Sequence, residues 1–229
     1  MDKNEITKII ENFAPPEFAE DWDCSGNIVD LAEYTDIKKV MLCLTVTDDI
    51  FEQAKKENCD MIISHHPLFF VPMKYKDINI YCAHTNLDRA KGGTTDTLIA
   101  DLGLGDGVSV GDFLRVVDCK ISVADFLKKI CKISSNVRIV NNENVAEIKK
   151  IAFCAGSGSE FIQEAFENGA DALVTGDVKF HTAIESPIVL FDIGHFESEI
   201  LVLKVFENLL KNHVDVIYAN EKSPFKTVL

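Results

Sequence analysis

The sequence predicts an α/β fold built from two lobes, and two observations carry this prediction. Short apolar runs rich in Val and Ile alternate with amphipathic helical patterns along most of the chain, which favours sheets that are largely covered on both faces. The 229 residues are 47% apolar and 26% charged, a balance typical of a globular protein with room for one large or two modest domains. These values exclude a disordered or low-complexity chain.

Hydrophobic periodicity predicts where the strands and helices lie. Strands are predicted at residues 39–46, 60–64, 78–84, 112–118, 136–140, 149–154, 171–175, 188–193 and 214–219. Helices are predicted at residues 2–13, 48–58, 92–102, 122–132, 159–169 and 196–212. In the last helix, apolar residues such as Leu203, Phe206 and Leu210 recur at steps of three and four, so they form a stripe that faces a core.

A glycine-rich stretch divides the chain. Residues 103–111 contain four glycines, which favours a connecting loop there. We therefore place the first lobe at residues 1–110 and the second at residues 111–229, with an approximate boundary and with the C-terminal helix and strand able to pack back on the first lobe. Each lobe contains a strand–helix–strand unit whose second strand begins with an aspartate, Asp60 or Asp171. This shared plan hints at a duplication.

The chain is acidic and is predicted to be cytoplasmic. Its 23 basic and 37 acidic residues give a net charge of −14, which repels phosphate backbones and anionic membranes, so binding to either is not expected. The sequence shows neither a secretory signal nor an apolar stretch of the roughly 18 residues that span a bilayer. Its seven cysteines form no CxxC pair and are predicted to be reduced.

Histidine and carboxylate side chains collect where three predicted strands end. The three groups are His65 with His66, His84 with Asp88, and His195 with Glu199. Open α/β sheets bind ligands at the carboxyl ends of their strands. A lone His or Asp after a strand is more often a turn or capping residue, but these groups contain four of the six histidines. Their coincidence favours a metal site.

The donor types indicate which metals fit. Imidazoles mixed with carboxylates suit Zn, Mn, Fe or Co, whereas calcium prefers oxygen ligands throughout. Three of these imidazoles with the two carboxylates already exceed what one open catalytic ion takes from protein, and a carboxylate can bridge two ions about 3.5–4 Å apart. The sequence therefore predicts two divalent ions per chain, without assigning the element.

Six motifs, taken in order, resemble the NIF-three-like family, also called GTP cyclohydrolase I type 2 homologs, which has a dinuclear metal centre. They are WDCSGN at 22–27, SHHP at 64–67, HTNLD at 84–88, GSG at 156–158, TGDVKFH at 175–181 and DIGHFESE at 192–199. The resemblance runs across nearly the whole chain. The family's usual WDNVGL reads WDCSGN here, a difference that bears on a loop near the site, and the chain lacks the middle domain of longer relatives.

The resemblance implies two α/β lobes with the metals in the cleft between them, and a toroidal homohexamer. The implied metal ligands are His65, His66, Asp88, His195 and Glu199. Three further residues are the candidate catalytic groups. His84 is assigned behind the ligands or in a substrate pocket, and Asp177 and His181 of TGDVKFH are assigned to the face of the cleft opposite the metals.

Two smaller features are also interpreted from the sequence. Trp22, before a glycine-containing turn, is predicted to anchor the amino-terminal segment in the core. Residues 156–159 join a strand to a helix, where an ordinary tight turn is favoured over an anion site built from backbone N–H groups.

Two functions are consistent with such a site. The first is a metal-dependent hydrolase, in which two ions lower the pKa of a bridging water that attacks a small nucleotide-like or phosphorylated substrate. The family name implies GTP, with attack of water at the purine C8. The alternative is a non-catalytic metal-binding scaffold or regulatory protein that acts through protein partners. Whether the chain is an enzyme stays open at this point.

Overall fold

The structure, a computed structural model, describes residues 1–226. This part of the chain folds into two compact units. The first unit comprises residues 1–93 and 202–222, and the second comprises residues 94–201 and the segment from residue 223 onward. The second predicted lobe ends at residue 229, so its last three residues lie outside the described range.

The described residues form strands and helices in alternation along much of the chain. The strands are β1 (Gly26–Val29), β2 (Lys39–Cys43), β3 (Met61–Ser64), β4 (Asn79–Cys82), β5 (Val108–Val110), β6 (Leu114–Ser122), β7 (Arg138–Val140), β8 (Glu147–Phe153), β9 (Ala172–Thr175), β10 (Val189–Asp192) and β11 (Asp215–Tyr218). The helices are α1 (Lys3–Phe13), α2 (Asp48–Lys56), α3 (Thr85–Arg89), α4 (Thr94–Asp101), α5 (Val123–Ile130), α6 (Ile162–Glu167), α7 (Phe180–Glu185), α8 (His195–Glu199) and α9 (Leu203–Leu210).

The first unit is built on a sheet in the order β1-β4-β3-β2-β11. The strands β11, β2, β3 and β4 are parallel, and β1 joins β4 antiparallel at one edge. Every residue of β3 and β4 is buried, as expected for parallel strands covered on both faces. The core combines Ile62 and Ile80 of the sheet with Phe51 of α2.

The second unit is built on a sheet in the order β5-β6-β8-β9-β10-β7. Its central strands β8, β9 and β10 are parallel, and antiparallel strands flank them on both sides. The buried ring of Phe126 on α5 packs edge-on against Phe191 of β10, with ring centroids 4.9 Å apart. Such edge-to-face aromatic pairs add stability beyond the area they bury.

The two strand–helix–strand segments noted in the sequence have the same local structure. In the first unit, Asp60 Oδ2 accepts the backbone N–H groups of Lys38 and Lys39 at 2.8 and 3.0 Å. In the second, Asp171 Oδ2 accepts those of Lys149 and Lys150 at 2.7 and 3.0 Å. The aspartate before β3 thus satisfies backbone donors at the start of β2, and the aspartate before β9 satisfies backbone donors in the middle of β8.

The structure confirms the α/β class and corrects several local predictions. The predicted helix at 196–212 is divided into α8, a 3₁₀ turn at Ile200–Val202, and α9, and the unit boundary falls within that turn. The glycine-rich stretch is not only loop, because it contains β5, which pairs with β6. Trp22 is not a core anchor, since 59% of its surface is exposed.

Within the described part of the chain, no helix has the length and apolar character needed to cross a membrane. The seven cysteines are all free thiols, as predicted.

Candidate metal centre

Two neighbouring parallel strands bring three histidines together in the first unit. β3 ends at Ser64 and is followed by His65 and His66, while β4 ends at Cys82, in register with Ser64, and is followed shortly by His84. The ring centroid of His84 lies 5.3 Å from that of His65 and 5.8 Å from that of His66. One ligand atom from each of the three lies within 4.8 Å of the others, a spacing that a single ion can bridge.

The Nδ1 atoms of the two histidines that follow β3 each lie beside an oxygen. Nδ1 of His65 lies 2.9 Å from the carbonyl oxygen of Ala83, which only accepts, so this nitrogen carries the proton and donates it. Nδ1 of His66 lies 2.7 Å from Oγ1 of Thr45. Metal-binding histidines usually donate their second nitrogen to an oxygen in this way, which sets the tautomer and the ring orientation.

A buried carboxylate holds His84. Asp23 Oδ1 lies 3.0 Å from Nδ1 of His84, and the Asp23 side chain is 0% exposed. Its oxygens also accept hydrogen bonds from the hydroxyls of Ser25 and Thr85, at 2.8 and 2.6 Å. Burial raises the pKa of the Asp23 carboxyl, but the bonds from His84, Thr85 and Ser25 outweigh it and hold the pKa well below its usual range. Asp23 is therefore ionised and favours a proton on Nδ1, which leaves the lone pair of His84 on Nε2.

A carboxylate approaches the same cluster from α3. Asp88 lies four residues after His84, one turn along this short helix. Its Oδ1 is 3.5 Å from Nε2 of His65. The first unit thus presents imidazole nitrogens together with one carboxylate.

The second unit carries a smaller donor group at the end of β10. His195 begins α8, and its Nε2 lies 2.9 Å from Oε2 of Glu199, whose side chain is 5% exposed. On the other side of the ring, Nδ1 lies 2.7 Å from Oδ2 of Asp177. The Glu199 hydrogen bond, opposed by burial and reinforced by the charges of Glu199 and Asp177, raises the pKa of His195 to about 9. The metal-free ring is therefore a cation at neutral pH, and a metal ion bound at Nε2 would replace the proton on that nitrogen.

Two backbone features make room for this group. Gly156 has φ +70, and a Cβ there would lie 2.2 Å from Oε1 of Glu199, so a side chain would displace the carboxylate. Asp177 is a non-glycine residue with φ 56, a left-handed conformation that is uncommon outside glycine and is found at functional sites. It follows β9 and turns its carboxylate to His195.

A cavity of about 420 Å³ opens beside His195 in the second unit. Charged, amide and aromatic side chains line it, among them Asn136, Arg138, Asp177, Glu197, Phe225 and Lys226. Arg138 forms an ion pair with the buried Asp192. The volume is in the range of small-molecule sites, roughly 300–1,000 Å³.

Most sequence candidates lie in these two groups. His65, His66, His84 and Asp88 lie together in the first unit, and Asp177, His195 and Glu199 lie together in the second. His181 is exposed on α7, where its ring contacts that of Phe180.

Sequence reasoning missed the roles of Asp23, Thr45 and Gly156. The GSG motif pointed to Gly156, although the favoured interpretation was an ordinary turn. Asp23 was indicated more weakly, by its place next to the tryptophan of WDCSGN. No sequence pattern indicated Thr45, since only the fold brings it to His66, 21 residues away.

The residues fit divalent metal ions. Each unit supplies imidazole nitrogen and carboxylate oxygen, the donors suited to Zn, Mn, Fe or Co. All four histidines have Nδ1 within hydrogen-bond distance of an oxygen. The fold and the donor atoms together define the chain as an α/β protein with candidate metal-binding clusters.

The family follows from comparison with known proteins. A model of the family described as Duf34/NIF3 (NGG1p interacting factor 3) matches residues 1–224. The "GTP cyclohydrolase 1 type 2 homolog" of Clostridium perfringens is 34% identical over the full length of both chains. "NIF3-like protein 1" of Drosophila melanogaster is 27% identical, covering 79% of this chain and 70% of its own. The chain belongs to the Duf34/NIF3 family.

Solved structures agree with the fold. The structure of reduced HcgD from Methanocaldococcus jannaschii superposes with a TM-score of 0.85 at 29% identity, covering 96% of this chain and 98% of that one. Protein SA1388 of Staphylococcus aureus gives a TM-score of 0.88 at 23% identity, covering 100% and 99%. The second likeness bears on the fold alone.

Proposed function

We propose that the chain binds two divalent metal ions and is a metal-dependent hydrolase of a small nucleotide-like or phosphorylated substrate. The proposed ligands are His65, His66, Asp88, His195 and Glu199. The observation that carries the proposal is the oxygen partner on Nδ1 of every histidine in the two clusters. A structural core histidine needs no such uniform arrangement, whereas a set of ligand nitrogens does.

The roles of the protein groups follow from their positions. When bound, a pair of divalent ions lowers the pKa of a water toward neutrality and stabilises charge on the substrate. The carboxylates of Asp88 and Glu199 offset the positive charge of the ions. Asp177 orients His195 through Nδ1. His84, Asp177 and His181 are the candidates for proton transfer, and His181 is supported by its sequence motif alone.

The cavity beside His195 supports a phosphorylated substrate. Arg138 and Lys226 line it together with the carboxylates of Asp177, Asp192 and Glu197, and the two cationic groups are of the kind that binds phosphate oxygens. The curated name "GTP cyclohydrolase 1 type 2 homolog" of several relatives suggests GTP as a first compound to test, with water attack at the purine C8. A cytoplasmic location and a homohexamer are further proposals that rest on the resemblance.

A scaffold or regulatory function is the second candidate. The family description refers to an interacting factor, which names a protein contact and no reaction. In that case the metals stabilise the fold or an assembly, and the chain acts through protein partners.

The experiment compares turnover in two glutamate variants. Metal-loaded wild type, Glu199→Gln and Glu185→Gln are incubated with GTP and a panel of nucleoside phosphates and phosphomonoesters. Glu185 is exposed on α7, so its variant controls for the substitution. We expect hydrolysis of at least one compound, a loss of more than about a hundredfold in Glu199→Gln, and no change in Glu185→Gln. Full activity of Glu199→Gln contradicts the assignment of the hydrolysis to this metal site, and a metal-loaded wild type that turns over nothing favours the scaffold.

A further inference from the structure

An exposed aromatic pair lies beside the histidine cluster of the first unit. Trp22 and Phe69 are 59% and 67% exposed, and their ring centroids are 6.4 Å apart with an angle of 32° between the planes. Trp22 also contacts His84 edge-on, with ring centroids 5.9 Å apart. The aromatic surface therefore adjoins His84, whose ring contacts those of the proposed ligands His65 and His66.

The backbone beneath Trp22 is held firmly. The next residue, Asp23, has a fully buried side chain and accepts hydrogen bonds from the backbone N–H of Cys24, the Ser25 hydroxyl and Thr85. Trp22 is thus exposed on an ordered segment and not on a loose loop. Rigid, exposed aromatic rings offer a large contact area at little entropic cost when they bind a ligand.

We propose that Trp22 and Phe69 form a stacking surface for a planar heteroaromatic ring of the substrate, such as a nucleobase. This inference rests on the proposed function and names the substrate class of the same site. A ring stacked on Trp22 lies next to His84, so the part of the substrate attached to that ring is held beside the first unit's histidine cluster. Stacking on aromatic side chains tolerates different bases, because every base has a π-face.

Tryptophan fluorescence reports on this surface without a label, because Trp22 is the single tryptophan of the chain. Metal-loaded protein is titrated with GMP and AMP, and separately with ribose 5-phosphate, which lacks the ring. Tryptophan emission is recorded after correction for nucleotide absorbance. We expect both nucleotides, and not ribose 5-phosphate, to quench the emission with a saturating dependence.

Two phenylalanine variants make the test specific. Phe69→Ala removes one ring of the pair, and we expect it to raise the Kd of both nucleotides about five- to tenfold. Phe70→Ala is the matched control, since Phe70 is the next residue and is 80% exposed, and it should leave the Kd within about twofold. Elemental analysis of the same samples shows whether the metals are present.

Three results overturn the inference. One is equal quenching by ribose 5-phosphate, and another is no quenching by any probe when the metal content is intact; both leave the proposed metal site standing. The third is an emission shift that depends on protein concentration and disappears in Phe69→Ala, which identifies a second copy of the chain as the occupant. If elemental analysis finds no bound metal in the metal-loaded wild type, the result contradicts the proposed function instead.

Discussion

The ends of β4 and β10 carry the same motif in different surroundings. β4 is followed by His84, with Asp88 four residues later on α3, and β10 is followed by His195, with Glu199 four residues later on α8. In both units a carboxylate contacts Nδ1 of the histidine, Asp23 in the first and Asp177 in the second.

The two motifs differ in burial and charge. His84 adjoins two further imidazoles and is held by a carboxylate that is 0% exposed. His195 lies between two carboxylates, one of them 47% exposed, and carries a proton in the metal-free protein. The first motif is a nitrogen-rich candidate ligand group, whereas the second is an ion network in which a bound metal ion would have to replace a proton. One spacing can therefore give two kinds of candidate metal-binding group, depending on what surrounds it.

The largest effect on metal affinity is expected from a methyl group added at Gly156, next to the Glu199 carboxylate. Gly156→Ala brings a Cβ to 2.2 Å from the carboxylate, so divalent-ion affinity at the second unit should fall about a hundredfold, the upper range for loss of a supporting contact. Gly103→Ala is the matched control, because Gly103 also has positive φ but has open space around its Cβ. Each variant should lose about 1 kcal/mol of stability from backbone strain alone. Calorimetric metal titration of both variants checks this, and equal affinities contradict it.

The two orienting carboxylates should respond differently to the same substitution. Asp23→Asn places an amide among hydrogen-bond donors in a buried site and should lower the free energy of unfolding by about 2–3 kcal/mol. Asp177→Asn changes a half-exposed group and should lower it by less than about 1 kcal/mol. Both should weaken metal binding about tenfold.

Urea denaturation of the metal-free variants measures the difference. Similar stability losses in Asp23→Asn and Asp177→Asn would show that burial does not separate the two motifs.

A smaller effect concerns the pH dependence of the second unit. The pKa of His195 in the folded, metal-free protein is about 9, above its ordinary value of 6.5. The folded state holds this proton more tightly than the unfolded state, so the stabilisation is complete below pH 6.5 and is lost as the pH rises through 9. The ring is partly solvent-exposed, so the contribution is about 1 kcal/mol after screening. Thermal unfolding of metal-free wild type and His195→Gln across this range should show the wild-type advantage shrinking; parallel curves would exclude it.

Local sequence patterns predicted the strand ends that hold the candidate ligands. The apolar runs before His65, His84 and His195 are strands, because strand periodicity and a following turn are local properties. The hydrophobic stripe at 196–212 could not reveal the division into α8 and α9, since α-helical and 3₁₀ turns keep similar residues on one face. Strands as short and polar as β1 carry too little periodicity to detect.

Contacts between residues far apart in the chain could not be predicted from the sequence, for a different reason. Asp23 and His84 are 61 residues apart, and no local pattern connects them. The exposure of Trp22 also depends on what packs above it and not on its neighbours in sequence. The clearance at Gly156 is a distance to Glu199, which exists only in the folded second unit.

The central claim, two metal ions held by the two donor groups, is tested most directly by counting ions. Elemental analysis of the untagged, gel-filtered protein loaded with Zn, Mn, Fe or Co is compared for three chains. They are wild type, His65→Ala/His66→Ala, and His181→Ala/His213→Ala, which removes two exposed histidines outside both groups. The account predicts about two ions per chain in the wild type and the control, and loss of bound metal in His65→Ala/His66→Ala. No bound metal in the wild type, or full retention in His65→Ala/His66→Ala, would contradict it.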